Sequence, residues 1–343
     1  MAEEKSAIKV EISHKTIIFT AAFLIGLWFL FQIKEIIIII FLSIILLSAL
    51  LKPVDWLNSK KIPRVISVLL VYILVIGAIS FAIGIIIPPL ITQSSEFASK
   101  LPQIISVINN FLIFHEIPVE DLSRTIAGQI QNITGDIIKL STRIFSSIFL
   151  TLTILVLTFY LLLDWNKYLR LMASPFSGKQ EKKIISLVAK VESGLGKWLR
   201  GQLTLSLIVG ILSYIGLRLL GIPYALPLAL IAGILEIIPV IGPIVASIPA
   251  ILVGFTISPV MALAVAALFL IIQQLENNLA VPMIMSKVVG LQPPIVMVVI
   301  LIGAKIAGVG GAFLSMPIVI LLKIVVTELL LEDRKLEDDL VEQ

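Results

Sequence analysis

The sequence predicts an all-α polytopic membrane protein with about eight membrane segments. They read as six full spans plus two hairpins broken by Gly and Pro and arranged as an inverted repeat. Three observations carry this. From Ile237 to Leu275 the chain has no charged side chain, with Glu236 and Glu276 at the borders. A bilayer core roughly 30 Å thick takes about 20 apolar residues to cross as a helix, so this stretch suits a membrane. The composition agrees. The 343 residues are 59% hydrophobic and 14% charged, against about 45–50% and about 25% in soluble domains. The third observation is a pair of similar apolar units, Gly221–Ile257 and Gly290–Val325.

Taken in order, Met1–Lys15 carries Glu3, Glu4, Lys5, Lys9 and Glu11. No small-residue cleavage site follows the first apolar run, which reads as a retained span and not a removed signal peptide. Thr16–Ile33 is the first span, and a polar break at Gln32–Glu35 separates it from the second, Ile36–Leu51. The basic loop Lys52–Arg64 leads to a third span within Val65–Ser95 that ends near Pro88 and Pro89. The section 92–143 is polar, and Leu122, Ile126, Ile130, Ile133, Ile137 and Ile144 recur in it at helical spacing. An amphipathic helix packed on the protein's own membrane domain is the expected form. Contact with the membrane surface or a partner is the other reading. Ile144–Leu163 is the fourth span. The polar section 164–200 is again helical in period, and Gly201–Leu217 is the fifth span.

Basic residues concentrate in Lys52–Arg64 and in 164–200, which places both in the cytoplasm. Four crossings before Asp164 then put the N-terminus inside and 92–143 outside. The resulting division is a three-span scaffold (1–91), an extracytoplasmic helical section (92–143), the fourth span (144–163), a cytoplasmic helical section (164–200), a repeat-containing transport half (201–327) and a charged tail (328–343).

Several chemistries are excluded. The chain has no cysteine, so no disulfide or thiolate site. His14 and His115 lie outside the spans, and no metal-ligand spacing appears. No nucleotide-binding P-loop is present, so ATP coupling would need another subunit. Neither Ser247 nor Ser315 has an evident base, so no enzyme activity and no cofactor are expected beyond a coupling proton or sodium ion. The net charge of +4 reports orientation in the bilayer, not nucleic-acid binding.

In the repeat, Gly242-Pro243, Ser247 and Pro249 align with Gly310-Gly311, Ser315 and Pro317. Upstream, Gly221-Ile-Pro223 matches Gly290-Leu-Gln-Pro293. One unbroken span, Pro259–Leu275, lies between the units and would invert the second against the first. Inverted repeats with Gly/Pro-broken segments point to a transporter's binding site near the bilayer midplane. The hinges expected are Pro239, Gly242, Pro243, Pro249, Pro282, Gly308, Gly310, Gly311 and Pro317. The polar groups at this depth are few: Glu236, Lys305, Ser247, Ser315 and the cluster Gln273-Gln274-Leu275-Glu276-Asn277-Asn278. Ionisable groups in the membrane are costly and are functional candidates. Amides can bind a polyol or a small cation, and a desolvated carboxylate can carry a proton. Pairing of Glu236 or Glu276 with Lys305 would instead only neutralise charge.

These residues resemble the autoinducer-2 exporter family over essentially the whole chain. The resemblance rests on Leu220-Gly221-Ile-Pro223-Tyr224-Ala225-Leu226, Ile238-Pro239 with Gly242-Pro243, Glu276-Asn277 with Val281-Pro282, Gly290-Leu291-Gln-Pro293, and Gly308 to Pro317. Phe159-Tyr160-Leu-Leu-Leu-Asp164 is similar to the family's end of the fourth span. Glu276 stands where the family pattern has an acidic residue, usually Asp, before Asn; Glu236 is not a fixed family feature. The resemblance implies export of a small polar signal such as autoinducer-2. Some members are instead described as sodium or lithium/proton antiporters. Homo-oligomeric assembly fits. The expected function is a plasma-membrane secondary transporter of a prokaryote, exporting a small polar organic solute on a proton or sodium gradient. A cation/proton antiporter is the leading rival, followed by a passive channel and a non-transport scaffold.

Overall fold

The computed structural model describes residues 14–81, 84–85, 88, 149–285, 290 and 292–341. The section 92–143, with its expected amphipathic helix, lies outside them. Every regular element among the described residues is helical: α1 (His14–Gln32), α2 (Lys34–Ser59), α3 (Arg64–Phe81), α4 (Phe149–Ala173), α5 (Lys179–Leu219), α6 (Ala225–Leu235), α7 (Ile241–Ile257), α8 (Pro259–Leu275), a π-helical turn (Glu276–Ala280), α9 (Val281–Met285) and α10 (Pro293–Val341). Six stretches are long and apolar enough to cross a membrane: α2, α3, α4, α5, the run Pro259–Met285, and Pro294–Glu328 within α10.

The outside of the molecule is oily. On α1, Ile18, Phe19, Phe23, Leu24 and Trp28 are all exposed, as are Ile73, Leu74 and Phe81 on α3. The interior holds Ser43, Ser48, Ser67, Thr158, Gln202, Ser213, Glu236 and Glu276. Lipid tails are as apolar as leucine, so helices in a bilayer gain by turning small and polar residues inward. The hydroxyl of Tyr72 donates to the carbonyl of Leu155 (2.8 Å), and the Arg64 Nε donates to that of Leu162 (2.8 Å). These bonds tie α3 to α4 beside an apolar cluster of Leu47, Leu50, Val54, Val68 and Leu162.

The break expected at Gln32–Glu35 does not turn the chain back. Ile33 N–H still bonds the Phe29 carbonyl (3.0 Å), and Ile37 N–H bonds that of Ile33 (3.1 Å), so α1 runs on into α2 with a bend. The segment has neither Gly nor Pro, and Lys and Glu are good helix formers. Two charges do not stop a helix. Crossings one and two are therefore not an antiparallel pair, and the count of four before Asp164 loses that reversal.

Both expected hairpins are present. In the first, α6 and α7 are short antiparallel arms about a break at Glu236–Val240. In the second, α10 departs from helical geometry at Ala307 and at Gly308 (φ 60°, ψ −143°), which only glycine adopts at little cost. Gly303 and Gly311 then lie backbone to backbone, so close that a Cβ on either would collide with the other's carbonyl. In a straight helix, residues eight apart sit about 12 Å apart; here the chain folds back at the break, with Gly303 against Gly311 and Ser315. The units also correspond at their starts, where Gly221 (φ 68°) and Gly290 (φ 52°) both take the left-handed region. Pro249 and Pro317 lie inside helices, so the breaks fall before Gly242-Pro243 and Gly310-Gly311 and not at these prolines.

Candidate functional site

The first hairpin breaks because Pro239 offers no N–H to continue the ladder. As α6 ends, Ile237 and Ile238 bond the carbonyls of Ile234 (3.2 Å) and Leu235 (3.0 Å), a tightened last turn. Val240 then sits at φ 69°, ψ −52°, with Ile241 N–H closing on the Pro239 carbonyl at 2.8 Å. This is the rarer and strained γ-turn. A β-branched residue at positive φ costs on the order of 1–3 kcal/mol and persists only where its surroundings enforce it. Pro243 falls in the first turn of α7, where a missing N–H costs nothing.

Glu236 ends α6 with its side chain turned inward, 0% exposed. Glu276 opens the π-helical turn after α8 and is 5% exposed. Such wide turns are rare and recur at functional sites. The Glu276 carboxyl lies within hydrogen-bond reach of the Glu236 carboxyl. Gln273, one turn back, donates through Nε2 to the Glu276 Oε2 (3.1 Å). The two Glu236 carboxylate oxygens have no donor. Two ionised carboxylates offer each other no proton, so the contact becomes a hydrogen bond only when one is protonated.

Helix α5 anchors this meeting point with three consecutive residues. Successive residues of a helix point about 100° apart, so each meets a different element. Arg200 Nη1 donates to the carbonyls of Ser48 (3.1 Å) and Ala49 (2.9 Å) on α2. Pro53 of α2 lacks the N–H that would have bonded Ala49, and the guanidinium stands in for it. Gly201 faces Met285 and Ile284 of α9. Gln202 Nε2 donates to the backbone carbonyl of Glu236 (2.5 Å). An apolar cluster that includes Ile45, Trp198, Leu205, Ile238, Met285 and Ile300 encloses the region.

The other expected residues are placed differently. Gln274, Asn277 and Asn278 are exposed on the outer side of the π turn, where Asn278 Nδ2 donates to Gln274 Oε1 (3.3 Å). Gln274 and Asn278 line an open cavity of about 450 Å³ with Leu270, Ile271, Leu275 and Leu279. The hydroxyls of Ser247 and Ser315 close onto their own helices, at the carbonyls of Ile244 (2.7 Å) and Ala312 (2.6 Å). Lys305 is exposed near the tip of the second hairpin and makes no ion pair with either glutamate. Pro282 is exposed on α9. Among the described residues no group of three or more His, Asp or Glu could hold a metal ion. Gln202 and Arg200 escaped the sequence reading. A lone amide two residues into an apolar span was the signal for Gln202, while nothing local marks Arg200 as the partner of Pro53.

Comparison with known proteins matches residues 17–331 to the family described as "AI-2E family transporter". The chain is 29% identical to the "Putative transport protein YrrI" of Bacillus subtilis, over 89% of this chain and 90% of that one. It is 28% identical to the "Putative transport protein YueF" of the same organism, over 81% and 80%. It is 25% identical to the "Putative transport protein MT0215" of Mycobacterium tuberculosis, over 88% and 85%. The match covers both hairpins, the glutamate pair and the helices before them: the chain is a multi-pass membrane protein and belongs to the AI-2E family of transporters.

Proposed function

We propose that this protein is a secondary transporter that moves a small polar organic solute outward on a proton or sodium gradient, and that Glu236 and Glu276 form its gradient-sensing group. One observation supports this most directly: two carboxylates from separate membrane segments meet in a buried site at a strained helix break. A pair of like charges seldom serves stability, since burying even one charge costs several kcal/mol (roughly) before any gain. The exposed amides Gln274, Asn277 and Asn278, beside the cavity of about 450 Å³, offer donors and acceptors to a hydroxyl-rich solute. The oily outer faces of α1 and α3 suit lipid or further copies of the chain.

The test uses purified protein in liposomes loaded with labelled small polyols and furanose-like solutes, the autoinducer-2 signal first. An imposed proton or sodium gradient should drive net movement, and Glu276→Gln should abolish it. Equilibration without a gradient, unchanged in the variant, would mean a passive channel. A second reading, sodium- or lithium-for-proton antiport, draws on the same carboxylate pair and predicts cation-driven pH changes with no organic solute present.

A further inference from the structure

The reading above leaves the coupling ion open between proton and sodium. We propose that the Glu236–Glu276 site is a proton site that holds one proton between its two carboxyl groups and does not bind an alkali cation. This rests on that pair being the coupling group and adds the identity of the ion.

The geometry carries three points. First, two adjacent carboxylates cannot both stay ionised unless a cation lies against them, and among the described residues no cation is paired with either glutamate. On α5, Arg200 is spent on the Ser48 and Ala49 carbonyls of α2, and Gln202 is neutral. On α8, Gln273 is neutral; α9 (Val281–Met285) has no charged residue. On α10, Lys305 is exposed near the hairpin tip. On α2, the nearest charges are Lys52 and Asp55, both exposed toward its C-terminal end.

Second, a single proton satisfies the hydrogen bonding. The protonated carboxyl donates to its neighbour in a short charge-assisted bond, and a Glu236 oxygen that otherwise lacks a donor gains one. The proton belongs to the pair and not to one residue.

Third, a desolvated alkali cation needs a shell of oxygens in place of its water, and this site turns nitrogens toward the carboxyls. Gln273 presents its Nε2. The Glu236 carbonyl, the next oxygen at hand, is taken by the Nε2 of Gln202. The buried apolar cluster that includes Ile238, Met285 and Leu205 adds no side-chain oxygen.

The experiment is modification of the full-length protein in liposomes with dicyclohexylcarbodiimide, an apolar reagent that attacks protonated carboxyl groups. It is run at mildly alkaline pH with choline, sodium or lithium at equal ionic strength, and sites are mapped by peptide mass. Label should appear on Glu236 or Glu276, be absent from the exposed carboxylates, disappear in the Glu236→Gln/Glu276→Gln double variant, and be unchanged by sodium or lithium. Protection that grows with sodium or lithium at fixed pH would overturn the proposal, as would an unlabelled pair in protein that still transports. Labelling in protein that moves no solute under any gradient would sink the transport reading and leave the proton site standing. Cation protection with transport intact would do the reverse.

Discussion

The side-chain amide of Gln202, on α5, donates a 2.5 Å hydrogen bond to the backbone carbonyl of Glu236 at the end of α6. A helix's last carbonyls have no partner in the helix, and in a bilayer core water is absent to satisfy them. Gln202 therefore satisfies a carbonyl that the break at Pro239 leaves open and ties the end of α6 to α5. Replacing it with leucine keeps the bulk and strands the carbonyl. The cost expected is about 1–3 kcal/mol, read as a lower unfolding midpoint in detergent, with gradient-driven transport falling further than passive leak. An unchanged midpoint and unchanged coupling would remove Gln202 from the site.

Arg200 and Pro53 make a linked pair without touching as side chains. Arg200→Ala should cost about 1.5–3 kcal/mol, the worth of hydrogen bonds from a charged donor. Pro53→Ala gives Ala49 a backbone partner, so Arg200→Ala made on that background should cost less than it does alone. A double-mutant cycle of unfolding midpoints reads the difference. Strict additivity would mean that the guanidinium does not replace the missing N–H.

Much of this was legible in the sequence and part was not, for physical reasons. Glu236 and Glu276 stood out because charge at membrane depth is rare, and the hairpins because Gly and Pro break helices wherever they are. That the two glutamates meet depends on the packing of segments far apart in the chain, which leaves no local residue pattern. The Arg200–Ala49 bond spans 151 positions and leaves no local trace. The two charges at Lys34 and Glu35 suggest a reversal in the sequence, but charge alone does not break a helix. Lys34 instead stays in the helix, its Nζ lying 4.1 Å from the centre of the Phe31 ring.

The second hairpin depends on close backbone approach. Alanine at Gly303 or Gly311 would drive a methyl into the opposite arm's backbone. Neither backbone can give as a flexible side chain would, so each substitution should cost at least the 1–3 kcal/mol (roughly) typical of overpacking. Gly77→Ala, with nothing within 4 Å of the added methyl, is the control and should stay within about 0.5 kcal/mol. Expression level and unfolding midpoint separate the two. Equal tolerance at all three positions would contradict the packed hairpin.

Val240 stores strain beside the carboxylate pair. Glycine there removes a penalty of about 1–3 kcal/mol for a β-branched residue at positive φ but adds about 0.5–1 kcal/mol of chain entropy. Val240→Gly should therefore stabilise the protein by up to about 2.5 kcal/mol in unfolding measurements, while slowing transport if the strained turn is what moves. A loss of stability would show that the turn is not strained.

The role of the pair is tested most directly in liposomes that enclose a pH dye. They are pulsed with sodium, lithium, potassium and then the transported solute, with the wild type beside Glu236→Gln and Glu276→Gln. The expected result is an interior pH change on the solute pulse in the wild type, absent from the cation pulses alone, that is lost in each single variant while the folded protein remains in the membrane. A pH response of the same size in both variants would show that the ion is carried elsewhere and that the buried carboxylates do not couple transport.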